Sequence, residues 1–507
     1  MMSNSFCCLI LSVLQYHLTY SYLVPFSSDM QRISRFTPTL LRIGRKAEYI
    51  YNQRTFQPAC RFFTTNSAKH NLSEVRQKTL QSSVGMPLNV LIVGAGVCGP
   101  ALAMLLQGSD PSHKITVVER SPSLRTTGQQ IDLKNQGVDV LRKMALLDTV
   151  KAHCVNETGL EILDSDGKPL ALFGISPSGQ RRITLTSEYE IMRGDLVNVL
   201  YKAGLEQYEK LKHTLRKGGG LAYEFDKTIT ELNQNDDGVD VTFSDGQQKH
   251  YDLVVAADGQ GSKTRRLAFG QEVSDAAWNP LGVQAAYFSI PRIEGEGGLA
   301  RSFNALGRRL LITRTSGRPV TQVLLFTMGD AEKLKKSYKE SIERQKEAFA
   351  DAFRDAGWQN DRFMSGMESC NDFYAHEIGQ IKMKQLSKGR VVLLGDAGYC
   401  PSPFTGMGAT GCLIGAYVLA GELARHGSDV PGALRAYEDI VRPPIAECQQ
   451  LPGASLGIFF PSSKLGIWIL RNALWAVSKV NIAFDWSQSE NKGGWVLPEY
   501  PELNLAS

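Results

Sequence analysis

Cysteine and histidine are scarce in this chain, and neither follows the pattern that a metal site or a disulfide framework requires. Nine cysteines and eight histidines occur among 507 residues. No two cysteines have the Cys-x-x-Cys spacing, and no two histidines have the helical spacing of a zinc site. The odd number of cysteines favours a reducing compartment over secretion. We therefore expect an intracellular protein without a metal site.

Long hydrophobic runs are also missing. The most apolar stretch near the C-terminus, 465–477, is interrupted by Arg471 and is too short to cross a bilayer. It carries Trp468 and Trp475, seven residues apart. We expect this stretch to pack on the protein's own core or on a dimer partner in preference to a membrane surface, with a lid over a hydrophobic substrate as a further alternative.

An excess of positive charge is present only in the first 85 residues. They hold ten Lys and Arg against three Asp and Glu, which leaves 46 basic and 48 acidic side chains in the rest of the chain. A nearly neutral body argues against a nucleic-acid partner. The leader, 1–85, is rich in Arg, Ser and Thr, and 61–65 resembles a mitochondrial processing region. A targeting segment, a disordered tail and a true translation start at Met86 all stay open, so the localisation is cytoplasmic or mitochondrial.

The first positive signal is a glycine-rich turn between a predicted strand and a predicted helix. The apolar run 88–93 leads into Gly94, Gly96 and Gly99, which have the spacing Gly-x-Gly-x-x-Gly. These glycines permit a tight turn, a close approach of the backbone to a pyrophosphate, and close helix–strand packing. The phosphate charge would lie at the helix N-terminus, where free N–H groups favour an anion. The motif predicts a dinucleotide site.

An acidic residue follows at the expected distance. The predicted strand 114–118 ends at Glu119, twenty residues after Gly99. A carboxylate at this position accepts hydrogen bonds from a ribose diol, which suits an adenosine without a 2′-phosphate. Arg120, beside it, is a candidate for contact with the adenine side.

Two later segments also begin where predicted strands end. They are 258–265, with Asp258, Gly259 and Arg265, and 395–410, with Gly395, Asp396, Gly408, Ala409 and Thr410. Together with the first motif they resemble the three fingerprints of the class A flavoprotein monooxygenases. The resemblance extends from about residue 88 to about residue 442. It implies FAD as the bound cofactor and NADPH or NADH as the co-substrate.

The resemblance also implies roles for individual residues. Asp396 would accept a hydrogen bond from the ribityl chain, and the helix that begins near Gly408, Ala409 and Thr410 would direct its N-terminus at the flavin pyrimidine edge. Arg193 would reach the cofactor, and Asp132 would contact FAD. Arg265 lies in a motif associated with both nucleotides.

The third motif departs from the family pattern at two positions and in the proline spacing around Pro401 and Pro403. Tyr399 stands where many relatives have histidine, and Thr410 stands where many have asparagine. A tyrosine does not titrate near neutral pH as histidine does. No proton-transfer role is therefore carried over to this position.

The order of the motifs predicts an α/β fold. A Rossmann-type FAD-binding domain of the glutathione reductase kind is interrupted by a mixed or antiparallel β-sheet that forms the substrate domain. A charged stretch, 331–356, predicts one long helix within that insert. The expected divisions are a leader, 1–85; a discontinuous FAD-binding domain, 86–160, 188–270 and 380–445; substrate-domain inserts, 161–187 and 271–379; and a C-terminal helical extension, 446–507.

The resemblance implies an FAD-dependent monooxygenase that uses NAD(P)H and O2. A C4a-hydroperoxyflavin would hydroxylate or epoxidise a hydrophobic small molecule, in secondary metabolism or aromatic degradation. Because the cofactor carries the chemistry, no side chain is named as catalytic. Two alternatives stay open: a flavin-dependent dehydrogenase or reductase without oxygen insertion, and a non-catalytic flavin-binding protein that senses redox state.

Overall fold

The strands and helices below are those of a computed structural model, which describes residues 86–174, 189–213, 219–451, 456–479 and 495–505. The leader, 1–85, lies outside the described residues. The strands are β1 (Asn89–Val93), β2 (Lys114–Val118), β3 (Gln130–Asp132), β4 (Gly159–Leu163), β5 (Pro169–Gly174), β6 (Glu190–Met192), β7 (Gly220–Glu224), β8 (Ile229–Gln234), β9 (Val239–Phe243), β10 (Gln248–Tyr251), β11 (Leu253–Ala256), β12 (Trp278–Pro291), β13 (Leu299–Ala305), β14 (Arg309–Arg314), β15 (Val320–Thr327), β16 (Tyr374–Ile381), β17 (Ser387–Lys388) and β18 (Val391–Leu393).

Thirteen α-helices are present in the described part of the chain. They are α1 (Cys98–Ser109), α2 (Asn135–Lys143), α3 (Leu147–Ala152), α4 (Arg193–Leu211), α5 (Lys263–Phe269), α6 (Gln271–Ala276), α7 (Ala331–Ser337), α8 (Ile342–Phe353), α9 (Asn360–Ser369), α10 (Asp396–Tyr399), α11 (Gly408–His426), α12 (Val430–Cys448) and α13 (Lys464–Lys479). Within the described ranges, none of the helices combines the length and the apolar character needed to cross a membrane.

A six-stranded sheet carries the glycine-rich turn. Its strand order is β17–β18–β11–β1–β2–β7, and every neighbouring pair is parallel except β17 with β18. The central strands β1 and β11 are buried along almost their whole length, in a core that includes side chains of helices α1 and α11 and of the three-stranded sheet β10–β9–β8. The helices α1 and α11 pack together in the same hydrophobic core.

The second large sheet of the fold is mixed and has seven strands. Its order is β16–β12–β15–β14–β13–β4–β5, and only β13 with β4 is a parallel pair. One face packs on α7, α8 and α9, and the other face forms a separate apolar core with α13. The predicted fold class, α/β with an inserted mixed sheet, is confirmed.

The prediction of one helix over 331–356 is wrong in one respect. The structure has two helices, α7 and α8, because the chain turns between them at 338–341. The Tyr338 hydroxyl donates to Gln284 at 2.9 Å, which fixes the turn on the sheet, and the Ser341 hydroxyl caps α8 by accepting from the Arg344 N–H.

Candidate active site

The glycine-rich turn has the geometry that the sequence predicts. Gly94 has φ of 111°, and its N–H donates to the Val118 carbonyl at 2.7 Å. A Cβ at Gly94 would lie 2.5 Å from the Ala257 carbonyl oxygen, and a Cβ at Gly99 would overlap the Gly94 carbonyl oxygen. Both positions therefore exclude any side chain. The turn joins β1 to the N-terminus of α1, with β2 and β11 on either side.

Glu119 is held at the edge of this turn. One carboxylate oxygen accepts from the Ala95 N–H at 3.0 Å, and the other accepts from the Ser121 N–H at 3.0 Å. Each carboxylate oxygen has more than one acceptor site, so capacity for a ribose diol remains. Arg120 is exposed beside it and has no hydrogen bond or ion pair with the described residues.

Asp258 and Arg265 are bound to protein groups. The Asp258 carboxylate accepts from the Thr264 N–H at 3.1 Å and from the Thr264 hydroxyl at 2.9 Å, which fixes the start of α5. Arg265 is buried and donates to Ser274 Oγ at 2.9 Å, to the Ala397 carbonyl at 2.6 Å and to the Gln260 carbonyl at 2.8 Å. Its guanidinium thus ties the second motif to the residue after Asp396. Contact of Arg265 with either nucleotide stays a prediction.

Arg193 brings the first and third motifs together. A Cβ at Gly96 would lie 3.1 Å from Nη2 of Arg193, and a Cβ at Gly128 would lie 3.2 Å from its Cδ. Burial raises the pKa of Asp396, and the positive charge of Arg193 lowers it. The guanidinium has no hydrogen bond to protein in the described part of the chain, so its donors are available to an anionic or carbonyl ligand.

The N-terminus of α11 borders open space and fits a flavin edge. A Cβ at Gly408 would meet no atom within 4 Å, and the same is true of Gly259 in the second motif. Ala409 and Thr410 follow in the first turn of α11. The open volume beside these backbone groups, together with the free guanidinium of Arg193 and the partly buried Asp396, is what an FAD site requires. Gly395, just before Asp396, has φ of 63°, and a Cβ there would lie 2.9 Å from Sγ of Cys412.

Lys134 is a site residue that the sequence did not reveal. Its N–H donates to Thr410 Oγ1 at 3.1 Å, and the same hydroxyl donates back to the Lys134 carbonyl at 3.2 Å. Its ammonium lies 3.8 Å from the Asp132 carboxylate, and both side chains are buried. The ammonium and one Asp132 oxygen have no hydrogen-bond partner among the described residues. A single lysine in a polar stretch carries no sequence signal for such a position.

A buried charge network adjoins this pair. Arg314 on β14 donates to Glu157 at 2.9 Å and lies 3.8 Å from the Glu190 carboxylate on β6. Burial raises the pKa of Glu157, while Arg314 lowers it. The network therefore joins the mixed sheet to the strand that leads into Arg193.

The open space beside Arg193 and Gly408 is the cofactor groove, and the mixed sheet is attached to chain segments on both sides of it. On one side the Ile381 N–H donates to the Cys400 carbonyl at 3.1 Å, and the Gln380 amide donates to the Pro401 carbonyl at 3.0 Å. On the other side the Ser316 hydroxyl donates to Gln130 at 2.6 Å. One face of the sheet is thereby held next to the Asp396 motif.

An aromatic wall lies on that face and includes Phe404 from the segment that follows Asp396. It consists of Tyr287, Phe326, Tyr374, His376 and Phe404. The Tyr287 and His376 rings stack with centroids 5.7 Å apart, the Tyr374 and His376 rings are 5.0 Å apart, and Phe326 and Phe404 are 6.1 Å apart. Tyr374 is 48% exposed. The wall thus reaches the protein surface.

Two polar atoms of the wall are buried without partners among the described residues. They are Oη of Tyr287 and Nδ1 of His376. Burial lowers the pKa of His376 to about 4, so the imidazole is neutral at physiological pH. Leaving such atoms unpaired costs about 1–3 kcal/mol each. A bound molecule with complementary polar groups would remove this cost.

Tyr399 is a packing residue under the third motif. Its hydroxyl lies 3.2 Å from the Tyr437 hydroxyl, which in turn donates to the Leu393 carbonyl at 3.0 Å. The side chain is buried in the core below the groove.

No group of three or more His, Cys, Asp or Glu side chains suited to a metal ion occurs in the described ranges.

The parallel sheet, the glycine turn and the groove under a mixed sheet define a flavoprotein oxidoreductase. The sequence profile of the family described as FAD binding domain matches residues 87–449. An FAD-dependent monooxygenase of Sarocladium schorii is 40% identical over 426 residues, covering 83% of this chain and all of that protein. A flavin-dependent monooxygenase of a Phoma species is 36% identical over 400 residues, covering 75% of this chain and 89% of that protein.

Solved structures agree with this assignment. The tetracycline destructase Tet(55) aligns with a TM-score of 0.63 at 28% identity, covering 82% of this chain and 99% of that chain. Tet(51) aligns with a TM-score of 0.65 at 25% identity, covering 82% and 100%. The chain therefore belongs to the FAD binding domain family, and it is an FAD-dependent monooxygenase.

Proposed function

We propose that this monooxygenase uses NADPH or NADH and O2 to hydroxylate or epoxidise a planar, hydrophobic small molecule that binds against the aromatic wall. The observation that carries the proposal is the position of the wall. Phe404 of the wall belongs to the third-motif segment 395–410 and packs on Phe326, and the buried polar atoms without partners are those of Tyr287 and His376. A substrate bound there would lie between the mixed sheet and the cofactor groove.

We expect a separate set of residues to bind each part of FAD. Gly94, Gly96 and Gly99 would receive the pyrophosphate, and Glu119 would bind the adenosine ribose. Arg193, Asp132 and Asp396 would contact the flavin half, as the resemblance to the family implies. The first turn of α11, with Gly408, Ala409 and Thr410, would present its backbone N–H groups to the flavin ring.

The bound FAD supplies electron transfer and oxygen activation, and the protein supplies position and electrostatics. The N-terminus of α11 carries a positive partial charge that favours an anion beside it. The backbone of Lys134 is hydrogen-bonded to Thr410 in the first turn of this helix, and its ammonium lies 3.8 Å from the Asp132 carboxylate. The mixed sheet and its aromatic side chains exclude water from the reacting centre.

The polar atoms of the wall narrow the substrate class. The Tyr287 phenol stays protonated because burial raises its pKa, so it donates a hydrogen bond. His376 is neutral and offers either a donor or an acceptor. The surrounding rings favour a flat, π-rich partner. We therefore infer an aromatic or polyketide molecule with at least one carbonyl or phenolic oxygen.

The test is anaerobic reduction of the FAD-loaded protein by NADPH and by NADH. Flavin bleaching is followed in a stopped-flow instrument with and without phenols, quinones and polycyclic polyketides, tetracycline included because the two destructases are named for it. A compound of the proposed class should accelerate bleaching. Acceleration only by small aliphatic compounds would refute the substrate class.

Tyr287→Phe is the variant that tests the wall. Removal of the donor should weaken the substrate effect about tenfold while leaving FAD affinity unchanged. Tyr223→Phe is the matched control, because the Tyr223 hydroxyl is also buried without a partner but lies on β7, away from the wall. Equal behaviour of the two variants would show that Tyr287 does not contact substrate.

A further inference from the structure

Helix α13 has two apolar faces, and the described part of the chain covers only one of them. Its inner face packs into the core of the mixed sheet through Leu470, Leu474 and Val477, and Ile467 is also buried. Its outer face exposes Leu465 by 66%, Trp468 by 62%, Ile469 by 50% and Trp475 by 44%. The sequence expectation of packing on the protein's own core accounts for the inner face alone.

The outer face is unusual for a water-exposed surface. The four side chains recur at the three- and four-residue spacings of one helical face. They are four of the eleven large hydrophobic residues that are exposed in the described ranges, yet they lie within one 16-residue helix. A contiguous patch of this kind marks an interaction surface.

The charge around the helix indicates the kind of partner. Lys464 and Lys479 lie exposed at its two ends. The sequence contains no Asp or Glu between Glu447 and Asp485. The third cation, Arg471, is buried and donates to the Asn304 carbonyl at 2.9 Å, and the polar side chain exposed on the outer face is the uncharged Asn472, which donates to the Trp468 carbonyl at 2.8 Å. An acidic surface therefore complements this helix.

We propose that the outer face of α13 docks on an anionic lipid surface. The helix, about 24 Å long, would lie in the plane of the interface. Trp468 and Trp475 would insert at the headgroup level, where indole rings combine apolar contact with an N–H donor. Lys464 and Lys479 would pair with anionic headgroups.

A second copy of this chain fits the face less well than lipid does. A symmetric contact between two α13 helices would bring the cations of both copies together, and no acid on the helix would neutralise them. Lipid headgroups supply that negative charge. The charge pattern thus favours a bilayer over self-association.

Docking through α13 would also bring the aromatic wall close to the lipid. The inner face of α13 shares its core with Tyr287, Phe326 and Phe404 of the aromatic wall. A protein docked through α13 would hold the substrate-binding face close to the lipid, from which hydrophobic molecules partition. This consequence rests on the proposed function, whereas the docking itself does not.

The experiment is co-sedimentation of the full, FAD-loaded chain with vesicles. Vesicles of phosphatidylcholine alone are compared with vesicles that also contain phosphatidylserine, at low and high salt. We expect binding to the anionic vesicles, weakened by salt, with a blue shift of tryptophan emission. Because sedimentation needs no turnover, failure of the proposed function would leave this result unchanged.

Variants locate the surface. The double substitution Trp468→Ser with Trp475→Ser, and separately Lys464→Glu with Lys479→Glu, should each weaken anionic-vesicle binding about tenfold or more. Val273→Ser with Ile293→Ser is the matched control, because these apolar side chains are exposed by 50% and 46% elsewhere. Bound FAD and the circular dichroism spectrum confirm folding of each variant.

Three outcomes would overturn the proposal. One is no binding to anionic vesicles, and another is binding that neither pair of substitutions weakens. The third is a wild-type dimer in solution that the two tryptophan substitutions convert to a monomer, since the outer face would then be an interface between two copies.

Discussion

Arg193 is the side chain that links the cofactor motifs. It lies against Gly96 and Gly128, and its charge lowers the pKa of Asp396 while burial raises it. Arg193→Met should therefore weaken FAD binding by about 10- to 100-fold, since a charge-assisted contact is lost. Fluorescence titration of the apoprotein with FAD measures the effect.

Arg435→Met is the control for this substitution, because Arg435 is exposed on α12. Arg193→Lys should lie between wild type and Arg193→Met, since the charge is kept but the planar fork is lost. An unchanged FAD affinity in Arg193→Met would contradict the assigned role.

His376 should make stability depend on pH. Burial lowers its pKa from 6.5 to about 4 in the folded state. Between those values the unfolded chain binds a proton that the folded protein does not, so the free energy of unfolding decreases as the pH falls from 6.5 towards 4. The loss amounts to at most about 3 kcal/mol, and it is absent above pH 6.5.

Urea unfolding near neutral pH and in mild acid tests this. His376→Gln should reduce the acid-induced loss, whereas His153→Gln should not, because His153 is exposed on the surface. Identical pH profiles for wild type and His376→Gln would show that the imidazole is not buried in neutral form.

At the residue scale, the sequence reveals groups whose role follows from the local backbone. Gly94 and Gly99 are recognisable because the turn excludes a side chain there, and Glu119 is recognisable by its distance from the turn. Tyr287 and His376 are not recognisable, since their contact depends on strand register between residues 89 positions apart. Local patterns carry no information on such pairs.

Helix α11 packs on the third motif through a glycine. A Cβ at Gly415 would overlap the Tyr399 hydroxyl and would lie 2.9 Å from Cδ1 of Leu394. Gly415→Ala should therefore lower the free energy of unfolding by about 1–3 kcal/mol, despite the higher helix propensity of alanine. Thermal unfolding of the FAD-loaded protein measures the loss.

Adding Tyr399→Phe should restore part of the loss, because it removes the overlapping oxygen. Gly204→Ala in α4 is the control, since its Cβ would meet only Met104, at an ordinary 3.9 Å. Equal stability of Gly415→Ala and wild type would disprove the tight packing of α11 on Tyr399.

At the element scale, strands and hairpins follow well from the sequence, whereas the long charged helix does not. The hairpins at 159–174 and 239–251 form where alternation and Asp-Gly turns predict them. The break between α7 and α8 depends on the bond from Tyr338 to Gln284, 54 positions earlier in the chain. A helical charge pattern cannot indicate an anchor on a distant strand.

At the scale of the whole molecule, buried charge joins the mixed sheet to the cofactor fold. Arg314 lies between Glu157 and Glu190, and all three side chains are buried. Arg314→Met leaves two carboxylates uncompensated and should cost about 3–5 kcal/mol of unfolding free energy. Urea denaturation gives the value.

Glu157→Gln in the Arg314→Met background should recover part of this loss by removing one uncompensated charge. Arg318→Met is the control, because its pair with Asp195 is partly exposed and should be worth at most about 1 kcal/mol. A smaller loss of unfolding free energy in Arg314→Met than in Arg318→Met would contradict the structural role of the network.

The whole fold could be predicted because three motifs occur in a fixed order, each at the end of a parallel strand. The substrate wall could not, because its side chains come from β12, β15, β16 and the loop after α10, brought together only by the folded sheet. The position of α13 on that sheet could not be predicted either, because an apolar stretch of sequence does not indicate which surface it packs against.

The most direct test of the central claim is the fate of molecular oxygen in a single turnover. The FAD-loaded protein is reduced by NAD(P)H with a substrate found by flavin bleaching and is then exposed to ¹⁸O2. Mass spectrometry should find one ¹⁸O atom in the product. An oxidised product without ¹⁸O would identify a dehydrogenase and would contradict the account.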